Sequence, residues 1–276
     1  MRLGLVLLMA VTGCSTAITG TAAPGAPAPR SIPALPPPAV DPATLAQRLS
    51  AIQPGWPRPR YPVAPHAREI DCRRLKCVAL TFDDGPGDET GQVLDALAQH
   101  GAKATFYIVG KMVTEKTAGL LRRMVTEGHE LGNHSWDHPS LPSLSSDGLK
   151  SQLVRTQHAV GQVTGVRMRT MRPPYGATNR SVAAMTRRYG MAQIMWGLDT
   201  LDWRDRNSDL VAKRCQKAKE GDVILMHDIH ASTVRAVPML LDMLDAKGFT
   251  YVTVTELFGR LTPGQEYFHA RKERTA

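Results

Sequence analysis

Val78-Ala79-Leu80-Thr81-Phe82-Asp83-Asp84-Gly85-Pro86 is an apolar run that stops in two carboxylates and a Gly-Pro turn. The run has the length of a buried strand, and its stop places two acids at the strand's C-terminal end. Neighbours in a continuing strand point to opposite faces, so only a chain that bends here brings both carboxylates to one site. Taken alone, the pair equally suits turn capping before Gly and Pro. A glycosidase pair is disfavoured, because adjacent residues do not readily flank a sugar from two sides.

Downstream of this strand, apolar runs alternate with amphipathic stretches, the pattern of repeated β-α units. Strands are expected at 78–82, 104–109, 130–133, 168–172, 192–198, 222–226 and 250–254, with helices near 90–100, 115–127, 146–164, 179–189, 209–219 and 234–247. Gly101, Gly128, Gly221 and Gly248 precede strands, as glycine does just past a helix C-terminus. Seven such units predict an α/β fold, a distorted (β/α)7-type barrel of parallel strands forming a single catalytic domain, with an open doubly wound sheet as the alternative. Asp83-Asp84, His134, Arg172, Asp199 and His227 then all fall at or just beyond strand C-terminal ends. That is the face on which barrel enzymes build active sites.

His134 and His138, in His134-Ser135-Trp136-Asp137-His138, have a spacing that sets both imidazoles on one side of a turn. Pro139 biases His138 away from helical dihedrals, so a tight loop is expected. Isolated, the pair is more often structural; with a carboxylate it forms a His/His/Asp set that leaves coordination open for water, and Asp84 is the candidate third ligand. Arg172 begins Arg172-Pro173-Pro174-Tyr175-Gly176, a rigid segment that can hold a guanidinium against a carboxylate or make an ordinary buried ion pair. In the same turn the Tyr175 N–H is placed to donate to a developing oxyanion. His227 ends the apolar run 223–226 and suits general acid or base work, with Asp199 or Asp202 as its carboxylate. His230 competes with it from three residues further on, whereas Asp137 and Asp228 read as loop structure.

The chain has 276 residues, 42% of them hydrophobic and only 5% aromatic, so an ample and largely aliphatic core is expected. Met1-Arg2, the apolar run 3–11 and Thr12-Gly13-Cys14 have the form of a lipoprotein signal peptide of residues 1–13, with Cys14 as the acylated cysteine. The run is too short for a spanning helix of ~20 residues. Residues 14–70 are rich in Pro and Ala and read as an extended tether. The catalytic domain is assigned to 71–260, and 261–276 to a polar basic tail. Export allows a disulfide between Cys72 and Cys77, since a zinc pair would lack a second pair of ligands, and leaves Cys215 to pack as a small hydrophobe. The formal charge of +9 is read as a solvated basic surface or as attraction to anionic wall polymers; no aromatic-studded basic motif suggests nucleic acid.

Thr81-Phe82-Asp83-Asp84-Gly85-Pro86, His134-Ser135-Trp136-Asp137-His138, Arg172-Pro173-Pro174-Tyr175-Gly176, Asp199-Thr200-Leu201-Asp202-Trp203 and Leu225-Met226-His227-Asp228 together resemble the polysaccharide deacetylases, the NodB-homology or carbohydrate esterase family 4 enzymes. The resemblance covers roughly 78–257 and looks most like the peptidoglycan deacetylases. It implies a distorted (β/α) barrel and one divalent metal, zinc or else cobalt, held by Asp84, His134 and His138. It further implies that Asp83 is the base, that Arg172 orients it, and that His227 is the acid tuned by Asp202. In that pattern the Tyr175 N–H stabilises the oxyanion, and Trp203 and Leu225 receive the acetyl methyl. The implied reaction removes N-acetyl groups from N-acetylglucosamine of cell-wall peptidoglycan by an enzyme anchored at the membrane through Cys14. An acetylxylan or chitin-type esterase/deacetylase shares this chemistry, and a non-catalytic wall-binding lipoprotein is the alternative of another class.

Overall fold

The computed structural model of the chain describes Arg68 and residues 70–270. The expected signal peptide, Cys14 and nearly all of the tether therefore lie outside the described residues. β1 (Cys77–Asp83) is buried along its whole length, which explains a sequence that runs apolar instead of alternating. It lies between β2 (Ala104–Ile108) and β7 (Val223–His227), with Asp83 level with Tyr107 on one side and His227 on the other. Beyond β2 follow β3 (Glu130–Asn133), β4 (Thr170–Met171), β5 (Ala192–Ile194) and β9 (Glu266–Tyr267); beyond β7 lies β6 (Leu198–Asp199). β8 (Thr250–Tyr251) pairs with the first residues of β1. Every strand ladder is parallel, and the sheet curls into the expected distorted barrel rather than an open doubly wound sheet.

The connecting helices are α1 (Thr90–Gln99), α2 (Ala118–Thr126), α3 (Ser146–Thr164), α4 (Arg180–Tyr189), α5 (Asp202–Asp205), α6 (Ser208–Cys215), α7 (Ala231–Asp245) and α8 (Val254–Phe258). Their starts follow local chemistry: Ser145 Oγ accepts from Gly148 N at 3.2 Å before α3, and Asn179 Oδ1 accepts from Val182 N at 2.9 Å before α4. Alternation along β1 divides the interior in two. Val78, Leu80 and Phe82 join Leu94, Leu97, Val237 and Leu241 of α1 and α7 in the main core. Cys77 and Ala79 face the barrel interior with Tyr107, Val223, Val252 and Leu257. Thr81 and Asp83 continue that inner face, so the interior turns polar toward the strands' C-terminal ends.

The expected Cys72–Cys77 disulfide is formed, with Cα atoms 5.5 Å apart, and Cys215 is buried in the main core. Burial pushes its thiol up to about 12, with the charge of Asp202 acting the same way. The single strand expected at 192–198 is instead two, β5 and β6, because the chain crosses there from one side of the barrel to the other. Met195 N donates to Tyr267 O at 2.7 Å on the first side, and Gly197 N to Val223 O at 3.0 Å on the second. The strand expected at 250–254 stops at Tyr251, since Thr253 and Glu256 form a reciprocal capping box that starts α8.

The domain does not end at 260. The first part of the expected polar tail, residues 261–270, closes the barrel: β9 pairs with β5, and His269 bridges to Asp222 just before β7. The segment reads as polar because Glu266 and Phe268 face outward while Leu261, Tyr267 and Ala270 pack inward, the Tyr267 ring 5.1 Å from Phe258. Truncation after Leu261 removes the hydrogen bonds Gln193 N to Gln265 O, Met195 N to Tyr267 O and Ala270 N to Gly221 O together with the Tyr267 contact. A loss of about 4 kcal/mol is expected in urea denaturation; an unchanged midpoint would show that β9 is dispensable.

Candidate active site

The bend required after Asp83 is made by Asp84, whose φ of 72° is left-handed. It turns the second carboxylate to the side of the first. Ser135 (φ 67°) and His138 (φ 63°) tighten the loop after β3 in the same manner. Ser135 N donates to Asn133 Oδ1 at 2.9 Å and His138 N to Ser135 Oγ at 3.0 Å, which satisfies the amides of that turn. The result places Asp84 Oδ1 3.4 Å from both His134 Nε2 and His138 Nε2.

These three residues form a group whose ligand atoms all lie within 4.8 Å of one another. Asp84 Oδ1 is buried and has no hydrogen-bond partner, the condition of an oxygen built to receive a cation. His134 Nδ1 lies 2.7 Å from the Arg172 carbonyl, which fixes that nitrogen as the donor and leaves Nε2 free to ligate. Burial would raise Asp84, yet the imidazoles of His134, His138 and His227 outweigh it and hold the carboxyl at about 2. Burial, with His134 beside it, lowers His138 against the pull of Asp84 and Asp83. A carboxylate and two imidazoles with an open side fit a divalent metal.

Behind this triad lies Arg172, with no exposed surface. Its Nη1 donates to Asp83 Oδ1 and to Thr81 Oγ1, both at 2.8 Å, its Nε to Ile194 O at 2.9 Å and its Nη2 to Met195 O at 2.9 Å. The Tyr107 ring covers the guanidinium, 4.4 Å from its carbon. Asp83 Oδ2 is left facing the triad, 3.6 Å from His134 Nε2.

The opposite wall comes from β7 and α5. His227 Nδ1 is 2.9 Å from Asp202 Oδ1, and His227 N donates to Asp202 Oδ2 at 2.7 Å. Thr233 Oγ1 and Trp203 N complete the shell of this fully buried carboxylate at 2.6 and 2.8 Å. Burial alone would lower His227, but Asp202, aided by Asp83 and Asp84, raises it to about 9. Asp202 is therefore the partner, whereas Asp199 is used to accept from Leu201 N at 2.7 Å. His230 instead faces the Arg206 guanidinium and is lowered, first by burial and then by that charge.

Tyr175 (φ 61°) sits in the turn Pro174–Gly176, whose own bonds run from Gly176 N and Ala177 N. Its ring stands edge-on to His138 at 4.6 Å between centroids. Leu225 is buried two residues before His227, on the same inner face of β7, and Trp203 is half-exposed beside Asp202. The residues put forward for the chemistry, Asp83, Asp84, His134, His138, Arg172, Tyr175, Asp202, Trp203, Leu225 and His227, thus meet at one end of the barrel, where Asp137 Oδ1 accepts from Gln152 Nε2 at 2.7 Å; the Cys72–Cys77 bond lies at the start of β1 instead.

Asp228 is more than loop structure. Fully buried, it takes the Thr90 hydroxyl and packs so tightly on Gly85 that a Cβ there would lie 2.3 Å from its Oδ1. Burial, reinforced by Asp84 and Asp83, pushes it up to about 7. Thr81, Thr233 and Asn133 also bind groups of the site. Only the position of Thr81, two residues before Asp83 on one strand face, gave a signal for any of them.

Residues 71–194 match the family described as polysaccharide deacetylase. The peptidoglycan-N-acetylglucosamine deacetylase PgdA of Listeria monocytogenes is 43% identical over 202 residues, which are 72% of this chain and 42% of that protein. A T48 deacetylase solved with substrate has a TM-score of 0.69 and 40% identity, over 72% of this chain and 99% of that one. A family 4 acetyl xylan esterase from Clostridium thermocellum, solved with a cobalt ion, has a TM-score of 0.66 and 32% identity, over 70% of this chain and 98% of that one. The chain belongs to the polysaccharide deacetylase family. It spans less than half the length of the Listeria relative.

Arg172→Met leaves Asp83 buried without its cation. Such a loss is expected to destabilise the domain by about 3–5 kcal/mol in urea denaturation, with Arg172→Lys recovering only part of it; an unaffected midpoint would refute the role given to this ion pair.

Proposed function

We propose that the chain is a metal-dependent hydrolase that removes N-acetyl groups from N-acetylglucosamine residues of peptidoglycan and releases acetate. The observation that carries the reading is the unpartnered Asp84 oxygen between two ring nitrogens, set beside a carboxylate fixed by a buried arginine. The similarity to the Listeria deacetylase supports the choice of peptidoglycan. Zinc is the proposed metal and cobalt the alternative. A cation held by Asp84, His134 and His138 would supply Lewis acidity to a water and to the substrate carbonyl oxygen.

The chain's own groups divide the proton transfers. Asp83 has Oδ1 occupied by Arg172, which directs Oδ2 to take the proton of the attacking water. The Tyr175 N–H faces the oxygen on which charge develops. An amine leaves poorly unless protonated. With Nδ1 tied to Asp202, His227 presents Nε2–H to the leaving nitrogen as the C–N bond breaks. Acetate and a free amine result, and the protons balance. Trp203 and Leu225 are proposed to enclose the methyl group. The proposed lipid on Cys14 and the tether would hold the domain outside the cell at the membrane, within reach of the wall.

The deciding experiment measures acetate release from peptidoglycan and N-acetylglucosamine oligomers before and after chelation, then with zinc or cobalt restored. Loss and recovery are expected; release that survives complete metal removal would sink the metal reading. Faster turnover of acetylxylan, the substrate class of the Clostridium relative, would move the assignment to an esterase. Asp83→Asn is expected to lower kcat by roughly 100-fold or more with metal content unchanged.

His227→Ala should impair amide cleavage more than ester cleavage, because an alkoxide leaves without prior protonation. Equal loss on both would contradict its role as acid. The raised value of about 9 keeps His227 protonated at neutral pH, so activity should fall only as pH rises through that region. Asp202→Asn removes the charge that holds the proton and is expected to move this alkaline limb to lower pH. A limb that stays in place would assign it to another group.

A further inference from the structure

The ladders of the sheet are parallel, so the residues that lead into the strands share the end of the barrel opposite the metal triad. Arg167 and Arg169 lead into β4, Arg187 and Arg188 lie in the last turn of α4 ahead of β5, and all four are exposed. They lie close together. Arg167 Nη2 donates to the carbonyl of Tyr189, the residue after Arg188, at 3.3 Å, and Ala192 N donates to Arg169 O at 3.0 Å. A Cβ on Gly264, just before β9, would come within 2.8 Å of the Arg187 side chain, and the exposed Arg260 lies in the segment leading to that glycine. One sector of this end, from β4 to β9, therefore carries a group of guanidinium charges.

Among the described residues, no carboxylate lies within ion-pair distance of any of these arginines. Glu127, ahead of the neighbouring β3, is held by Arg123, and residues 261–265 carry no charge. Unpaired like charges repel one another, and an anionic partner relieves that repulsion. The opposite end has the other sign, with Asp83, Asp84, Asp88, Glu89, Asp199 and Asp202 at or beyond the ends of β1 and β6. A broad anionic surface would attract the arginine end and repel the triad end, so its field gives the domain a direction. The chain also enters the domain at the arginine end. Arg68 binds Glu256 of α8 and the carbonyl of Tyr251 in β8, and Thr255 of the same helix donates its N–H to Glu130 at the start of β3.

We propose that this arginine sector docks on the anionic phospholipid headgroups of the membrane and turns the triad outward, toward the wall. The proposal rests on the anchoring through Cys14 given above and is independent of the chemistry at the triad. A lipid chain is commonly reinforced by a polybasic patch as a second membrane signal. An anchor keeps the headgroups and the sector in one small volume, so a contact too weak to hold a free protein is enough to orient a tethered one. Guanidinium groups suit the partner, because they pair bidentately with phosphate oxygens.

The test sediments the full chain, made without acylation, with vesicles of phosphatidylcholine alone or mixed with phosphatidylglycerol. Neutral vesicles register the apolar run 3–11, and the increment on anionic vesicles registers charge. One arginine at an anionic surface contributes roughly fivefold to binding. Arg167→Gln with Arg169→Gln, and separately Arg187→Gln with Arg188→Gln, are each expected to lower the anionic increment about 10–30-fold at low salt. Lys111→Gln with Lys116→Gln removes the same charge beyond the C-terminal end of β2 and is expected to leave the increment within about twofold. Thermal melting checks that each pair leaves the fold intact. An equal loss in the lysine pair would reduce the effect to net charge and overturn the sector, as would equal binding to both kinds of vesicle. Tighter binding to soluble poly(glycerol phosphate) at matched phosphate concentration would give the sector to a wall polyanion and overturn the lipid assignment. Mass spectrometry of the exported protein separates the two readings. If Cys14 carries no lipid while the arginine pairs behave as expected, the docking surface stands and the anchor fails; if Cys14 is acylated and the arginine pairs change nothing, the anchor stands and the docking surface fails.

Discussion

A guanidinium without access to water must find partners for the N–H groups it buries, and Arg172 makes four such bonds, to β1, to the end of β5 and to the residue just beyond it. Thr81 and Asp83 come from β1, while the carbonyls of Ile194 and Met195 mark the place where β5 gives way to the crossing segment. The arginine itself follows β4, and its carbonyl fixes the ring of His134. Even the Tyr107 ring that covers it depends on Gly132, where a Cβ would lie 2.3 Å from a ring carbon. A buried ion pair of this kind contributes little net stability compared with well-packed apolar residues. Its value lies in geometry, because one residue sets the direction of Asp83 through its side chain and the orientation of His134 through its carbonyl, and ties the strands around them together.

Backbone strain is concentrated at the same end of the barrel. Among the described residues, the non-glycine positions with left-handed φ are Asp84, Ser135, His138, Tyr175, Leu201 and Arg206. Two of these are proposed metal ligands, one is Tyr175, whose amide is proposed to meet the oxyanion, and Leu201 immediately precedes the carboxylate that binds His227. Such conformations persist where surrounding structure over-determines them. Here the determinants are identifiable hydrogen bonds, from Ser135 N to Asn133 Oδ1, from His138 N to Ser135 Oγ and from Leu201 N to Asp199 Oδ1.

The strands were legible in the sequence where burial is continuous, as in β1 and β7, and the motif residues were legible because polar groups ending apolar runs stand out. Pairings across the barrel were less so. Asp199 and Asp202 were equivalent candidates beside His227 until α5 turned one of them inward, and a three-residue spacing says nothing of that choice. Asp228 was indistinguishable from a turn former because its burial depends on Gly85, which is 143 positions away in the chain. β9 escaped notice for a related reason. A strand of two residues, one of them half-buried, has no period to detect, and its place in the sheet is set by partners near 193 and 222.

The position of β1 between β2 and β7 has a kinetic meaning as well. Ala79 pairs with Val223, and the last strand to join the barrel ends at Tyr267. Loops of this size must close before their contacts repay the entropy, which slows the joining of these strands. A chain emerging residue by residue holds its central strand unpaired on one side until Val223 to His227 have been made, and during that interval one edge of an apolar strand stands open.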